Sequence, residues 1–241
     1  MEAWPDGRDA GTEATVTMGQ GISEVLPFAI GIALSPLPII AVILMLFSER
    51  ARVNGPVFLL GWVAGLAIVS TVVYVLADAA DAATDTSTSD TVSWGKVVLG
   101  VVLLGLARRN WAKRPAPGQP AELPKWMATV ESIAPARAFG LAALLSVVNP
   151  KNLVLAVGAA AGLGQLGIST GDAVVALVVF VAVSSSSIAF AVGYNAFGGA
   201  KARKTLDDLK AWMTEHHSAV MAVLFLVFGV VLISKGIGYL S

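Results

Sequence analysis

Long apolar stretches with almost no charged side chains constrain this chain more than any other feature. The clearest of them are Val25–Phe47, Pro56–Ala77, Phe139–Ala161 and Ala173–Tyr194. A helix that crosses the hydrocarbon core of a bilayer, about 30 Å thick, needs roughly 20 such residues. Charged residues make up only 13% of the 241 residues and hydrophobic residues 56%, so the charged share is about half of that in soluble domains. The sequence therefore predicts an all-α integral membrane protein.

Two further segments are also too apolar to lie in water. Val92–Ala107 is short and carries Lys96 near its start, and Ser218–Leu240 is interrupted near its end by Lys235 and its neighbours. Counting both, the sequence predicts six transmembrane helices. The two lysines lie near the predicted outer ends of their spans, where a long side chain can snorkel to the headgroups. We therefore expect both lysines to point outward, and the sequence assigns neither of them a function.

The charges of the loops predict the orientation. The first, third and fifth loops are basic, whereas the second carries aspartates without a base and the fourth, Gly162–Gly171, carries no charge. Loops rich in lysine and arginine stay on the cytoplasmic side. The odd-numbered loops are therefore predicted to be cytoplasmic, and both termini are predicted to lie outside. Residues 1–24 hold one arginine and five acids, unlike the basic start of a signal peptide.

The predicted spans and loops divide the chain into an external tail, two units of three helices and a cytoplasmic loop. Their residues are 1–24 for the tail, 25–107 and 138–241 for the two units, and 108–137 for the loop. The loop contains an amphipathic segment that follows Pro124, and a similar segment with Leu206, Trp212 and Met213 lies in the fifth loop. Each segment fits an interfacial helix with its aromatic face in the headgroups, or else an ordinary packing helix.

The two units match each other at three places in chain order. Ser35-Pro36-Leu37-Pro38 aligns with Asn149-Pro150-Lys151-Asn152, Ser70-Thr71 with Ser186-Ser187, and Gly100–Leu104 with Gly229–Ile233. Because each unit has three spans, the second enters the membrane from the opposite side. The predicted fold is therefore a pair of inverted three-helix repeats. Interrupted helices at corresponding points of inverted repeats are typical of secondary transporters, whose site lies between them.

The prolines and Lys151 predict a polar site near the middle of the membrane. Proline removes an amide donor and clashes with the carbonyl one turn back, and carbonyls freed in hydrocarbon need protein, water or a ligand. Lys151 follows Arg137 by fourteen residues, about 20 Å along a helix, which is beyond easy snorkelling. A lysine there costs about 2.5–3.5 kcal/mol. Its candidate partners are the freed carbonyls, trapped water, Asn149, Asn152 and an anionic ligand.

Lys151 is therefore interpreted either as a structural lysine tied to the broken backbone or as a lysine in a transport path. The serine and threonine pairs are expected either to bond within their own helices or to line a polar cavity. The full set of predicted site residues is Pro36, Pro38, Ser70, Thr71, Asn149, Pro150, Lys151, Asn152, Ser186 and Ser187.

The sequence offers no catalytic or metal-binding motif. His216 and His217 are adjacent and lack a glutamate at metal-site spacing, and no nucleophile elbow, phosphate loop or dinucleotide fingerprint is present. The chain has no cysteine, which excludes cysteine-ligated zinc and iron–sulfur clusters. Its net charge of zero disfavours nucleic acid as a partner. We therefore expect a transport protein without cofactor or metal, rather than an enzyme.

The residues at the two breaks resemble those of a known group of transporters. Asn149-Pro150-Lys151 in the fourth span, with Pro36 and Pro38 in the first, resembles the lysine-exporter (LysE) superfamily of small six-span transporters. The fuller pattern adds Pro124-Lys125-Trp126-Met127 and Ala138-Phe139-Gly140-Leu141. With them the chain, from about Glu24 onward, resembles the actinobacterial GAP family, which includes the sulfolipid-addressing (Sap) proteins.

The resemblance implies an inner-membrane protein that exports a cell-envelope glycolipid or peptidoglycolipid, or assists its export beside a larger lipid transporter. It also implies that Asn149, Pro150 and Lys151 form the functional centre, facing Pro36 and Pro38. The expected partners are membrane lipids and that transporter, and a homodimer is left open.

Two alternatives remain open. One is a LysE-type exporter of a small polar solute such as an amino acid or a cation. A divalent cation fits less well, because hard cations require oxygen anions and the central residue is Lys151. The other is a non-transporting accessory subunit of a lipid exporter, which would need neither an intramembrane lysine nor paired helix breaks.

Overall fold

The computed structural model describes the backbone of residues 7–82, 88–114, 127, 130, 133–164 and 166–238, and the side chains of these residues except 7–17, 78–82, 88–92 and 238. The regular secondary structure of this part of the chain is all helical, without a strand. Its helices are α1 (Gly7–Ala33), α2 (Pro36–Leu46), α3 (Ala51–Ala82), α4 (Thr88–Ala112), α5 (Pro135–Val147), α6 (Pro150–Gly164), α7 (Thr170–Phe197) and α8 (Gly199–Gly238).

Both predicted helix breaks are confirmed. The axes of α1 and α2 meet at 53°, and those of α5 and α6 meet at 60°. Pro36 and Pro150 each begin the helix that follows the break. Proline is favoured at the first helical position, because an amide there has no acceptor within the helix.

The helices are long and apolar enough for a membrane protein with three to five spans. Three helices qualify alone, namely α3 over Ala51–Ala77, α7, and α8 over Gly199–Ile237, and two more spans follow if each bent pair counts as one. The helix α4 is not among these candidates. Its described side chains include Lys96, Arg108 and Arg109 on either side of an uncharged stretch. A sixth span therefore stays a prediction.

The first helix begins earlier than the sequence indicated. Residues 7–24, which we predicted to be part of an external tail, belong to α1, and residues 1–6 lie outside the described part. Glu24 lies inside this helix, and its carboxylate is held by the ammonium of Lys235. A paired charge can be buried where a single charge could not.

The last helix also extends beyond its predicted span. The amphipathic segment of the fifth loop is the first part of α8, which runs without interruption for 40 residues. Leu206 and Met213 are buried in this segment, so it is a packing helix there rather than a separate interfacial one. Most of the other predicted amphipathic helix lies outside the described residues, although Met127 and Val130 are described and buried.

The second helix forms the centre of the fold. Ten of the eleven residues of α2 are buried, so it has no face left for lipid. By contrast, α3 and α7 expose large apolar side chains such as Leu60, Ile68, Val178 and Phe190. Apolar surface of this kind is stable against lipid tails and would be costly in water.

Small residues allow several helices to approach closely. A Cβ atom on Gly100 of α4 would lie 2.7 Å from the carbonyl oxygen of Gly229 in α8, and one on Gly229 would lie 3.0 Å from that of Gly100. A Cβ atom on Gly65 of α3 would likewise lie too close to the backbone of Ala143 in α5. Close backbone approach at small residues is a common basis of helix association in membranes.

This packing predicts a difference between two glycines of α4. Gly100→Val should destabilise the protein by about 1–3 kcal/mol, because the added atoms overlap the backbone of α8. Gly105→Val should not, because no atom outside its own helix lies within 4 Å of a Cβ there. Thermal unfolding in detergent, followed by circular dichroism, measures both. Equal stability of the two variants would contradict the close α4–α8 contact.

Candidate functional site

The end of α1 at the first break has carbonyl groups that its own helix cannot satisfy. All four of its last carbonyls nevertheless have a donor. Those of Ile30 and Ile32 accept from the amides of Leu34 and Ser35, each at 3.0 Å. The other two accept from side chains of the second half of the chain. Lys151 Nζ donates to the carbonyl of Gly31 at 2.5 Å, and Ser187 Oγ donates to that of Ala33 at 2.7 Å.

The second break is satisfied in a related way. Asn149 caps α6, since its Oδ1 accepts from the amide of Lys151 at 3.1 Å. Asn152 Nδ2 donates to the carbonyl of Leu145 at 3.3 Å, while its Oδ1 accepts from Ser35 Oγ at 3.1 Å. The two breaks therefore meet, and polar side chains of each supply hydrogen bonds to the other.

The electrostatic character of this junction is positive. Lys151 is only 1% exposed, and no carboxylate of the described residues lies within ion-pair distance of it. The N-termini of α2 and α6 also start at the junction, and each helix N-terminus carries a partial positive charge. The carbonyl of Gly31 uses one of the three protons of the ammonium group. An anionic group is the ligand that such a junction favours.

A cavity of about 250 Å³ opens beside the junction. Its walls combine the polar residues of both breaks with apolar side chains, namely Ser35, Pro36, Leu37, Leu144, Leu145, Val148, Asn149, Pro150 and Met221. The cavity is somewhat smaller than the roughly 300–1,000 Å³ of typical small-molecule sites. It can hold a headgroup-sized polar group but not a lipid tail.

The structure brings together most of the predicted site residues. Pro36, Asn149 and Pro150 line the cavity, Lys151 and Asn152 cross-link the two breaks, and Pro38 is buried in the first turn of α2. Ser187 also reaches the first break, through the carbonyl of Ala33.

The remaining hydroxyl residues do not form one polar cavity with Ser187. Ser70 Oγ donates to the carbonyl of Leu66 in its own helix, and Ser186 Oγ donates to that of Val183. Ser70 and Thr71 do line a groove of about 560 Å³ between α3 and α7, but the other residues of this groove are mostly apolar.

Three charged residues of the site region were not expected from the sequence. Lys96 is buried, contrary to the expectation that it snorkels outward, and Lys235 forms an ion pair with Glu24 that the sequence analysis did not include. The predicted spans did hold a signal for this pair. Glu24 and Lys235 lie at the same predicted end of the first and sixth spans, where opposite charges can meet.

Comparison with known families identifies the chain. The family model of the Sap, sulfolipid-1-addressing protein, family matches residues 25–238. The chain belongs to the Sap family. No curated protein and no solved structure is significantly similar to it.

The family match begins at Val25 and therefore includes both helix breaks and the whole junction of this Sap-family chain. It excludes the first turns of α1 but includes Lys235 at the other end of the chain. The predicted family is confirmed, whereas membership of the wider LysE superfamily stays a prediction.

Two neighbouring serines offer a test of the cross-link between the breaks. Ser187→Ala should lower the stability of the protein by about 0.6 kcal/mol, the average for hydrogen bonds between membrane helices, and by at most about 1.7 kcal/mol, because the Ala33 carbonyl loses its donor. Ser186→Ala should change it little, because Ser186 bonds only within α7. Unfolding of the purified variants in mixed micelles measures the difference. Equal effects of both substitutions would contradict a role of Ser187 in joining the halves.

Proposed function

We propose that this protein exports, or assists the export of, a cell-envelope lipid with an anionic headgroup. The observation that carries this proposal is the buried Lys151 at the junction of two broken helices, without a carboxylate partner among the described residues. A buried charge normally has a counter-ion. A substrate that carries the missing negative charge explains why the lysine is present.

Lipid as the substrate class follows from the family. The name of the family refers to the addressing of sulfolipid-1, a lipid whose name indicates an anionic sulfur-containing group. The groove between α3 and α7 is also consistent with an acyl chain, since valine, leucine and alanine side chains form most of it. A small polar solute would not need an apolar groove of this kind for binding, which disfavours the LysE-type alternative.

We further propose that the chain forms two inverted three-helix repeats with six spans. The bends of 53° and 60° at corresponding prolines support this arrangement. The contact between α4 and α8 supports it as well, because Gly100 lies against Gly229 and Ile233, while Gly229 lies against Gly100 and Leu104. Under the proposed pairing of Gly100 with Gly229 and of Leu104 with Ile233, these two contacts are equivalent.

The remaining features of the proposal follow from the loop charges and the family resemblance. The protein lies in the inner membrane with both termini outside, and it acts without an enzymatic step. Membrane lipids are its partners, together with a larger lipid transporter. An accessory subunit that only holds such a transporter is the second candidate, and it needs neither Lys151 nor the two breaks for its role.

Mass spectrometry of surface-extractable lipids tests the proposal. Deletion of the gene should remove one lipid class from the surface while the cells retain it. Lys151→Met should reduce this class about tenfold or more, since the loss of a buried charge partner costs about 2–5 kcal/mol of binding. Lys113→Met, which alters an exposed lysine after α4, should leave surface lipid unchanged.

The amount of each variant in the membrane is measured by immunoblot, so that loss of protein is not mistaken for loss of transport. An unchanged lipid profile after deletion would overturn lipid export. A deletion that abolishes export, together with a fully active Lys151→Met protein, would instead favour the accessory subunit.

A further inference from the structure

One ion pair joins two helices that are far apart in the sequence. Glu24 of α1 and Lys235 of α8 are in direct contact, and their side chains are only 10% and 25% exposed. The other ion pairs among the described residues, Lys204 with Asp208 and Lys210 with Asp207, lie along a single helix, and their carboxylates are 68% and 60% exposed. The Glu24–Lys235 pair therefore connects the start of the chain to its end in a largely dry environment.

Other elements close around this pair. Lys96 of α4 is buried and interacts electrostatically with both of its members. From α6, the uncharged Gly162 approaches so closely that a Cβ there would lie 2.7 Å from Cδ of Glu24. On α7 the charged residue near this end is Asp172, whose carboxylate accepts from Ser169. The ion pair thus has α4 and α6 packed against it as well as its own two helices.

An apolar layer separates the ion pair from the junction. The rings of Phe28 and Phe228 stack with their centres 6.5 Å apart, and the Nζ atom of Lys235 lies 5.5 Å from the centre of the Phe28 ring. The ring of Phe228 also packs against Gly31, whose carbonyl accepts from Lys151. The junction is therefore covered on this side by an aromatic pair and then by an ion pair, whereas the 250 Å³ cavity opens beside it.

The other repeat has no equivalent of this cover. Glu24 lies twelve residues before Pro36, and the residue twelve positions before Pro150 is Ala138. Lys235 lies six residues after Gly229, and the residue six positions after Gly100 is Leu106. Ala138 and Leu106 cannot form an ion pair, so the Glu24–Lys235 pair has no counterpart at the matched positions of the other repeat.

We propose that Glu24 and Lys235 form a gate in the translocation path. The gate closes the path where these two side chains of α1 and α8 meet. This inference rests on the proposed transport function. A desolvated pair is strongly disturbed when either charge is lost, whereas a hydrated pair contributes little. Water that enters this end would therefore weaken the pair, and expulsion of the water would restore it. Such a contact has two distinct states, closed and dry or open and hydrated.

A cysteine at Ile32, a buried residue next to Gly31, reports on this gate, because the natural chain has no cysteine. The rate of its modification by a membrane-impermeant thiol reagent is measured in purified protein. Glu24→Gln and Gly162→Ala should each raise this rate about tenfold or more, because each removes or displaces one partner of the buried pair. Gly162→Ala does so without changing a charge.

The exchange of the two charges, Glu24→Lys with Lys235→Glu, should return the rate to near that of the background with the reporter alone. Lys204→Met breaks an exposed ion pair of α8 and should leave the rate unchanged. A rate in Glu24→Gln and Gly162→Ala equal to that of the background would overturn the gate. An increase in the rate that the charge exchange fails to reverse would also overturn the gate, since that result indicates general loosening of the fold.

A cross-link separates the gate from the proposed function. In the Glu24→Cys, Lys235→Cys protein, a thiol-reactive cross-linker should abolish lipid export that the uncross-linked form still supports. Export that continues after complete cross-linking would contradict the gate and leave the transport function standing. Absence of export in the unmodified natural protein would instead refute the transport function, while the labelling rates still decide whether the contact opens.

Discussion

The structure depends on how the broken backbone of α1 is satisfied inside the membrane. A helix that ends in hydrocarbon leaves carbonyl groups without donors, and each such group costs several kcal/mol if it stays unpaired. Here Lys151 and Ser187 donate to the carbonyls of Gly31 and Ala33. These donors come from α6 and α7, so the first half of the chain is complete only when the second half is folded against it.

The same arrangement unites stability and function in a few residues. Lys151 completes the backbone of α1, and under the proposed function its charge also attracts the anionic headgroup. An anionic headgroup would compete with the carbonyl of Gly31 for the ammonium group. Binding could thereby loosen the contact between the halves, which is the kind of coupling that a transport cycle requires. The proposed gate of Glu24 and Lys235 lies about two helical turns before Gly31 on the same helix.

Sequence reasoning located the two breaks because proline acts locally. Pro36 and Pro150 each occupy the first position of a helix, where proline is favoured, whereas Pro27 lies inside α1 without ending it. Asn149 and Lys151 were recognised for the same reason, since a polar residue inside an apolar span is costly in any fold.

The contacts between spans were not predictable in this way. The approach of Lys151 to Gly31 and that of Glu24 to Lys235 depend on which helices are neighbours, and residues more than a hundred positions apart form them. Glu24 was placed in an external tail and Lys235 was left without a partner because each charge was judged against its own segment alone, although its partner lay on another helix.

Native mass spectrometry of the lipids that copurify with the protein tests the central role of Lys151 most directly. The natural protein should retain an anionic lipid that the folded Lys151→Met protein loses, and retention of the same lipid by both proteins would contradict the account.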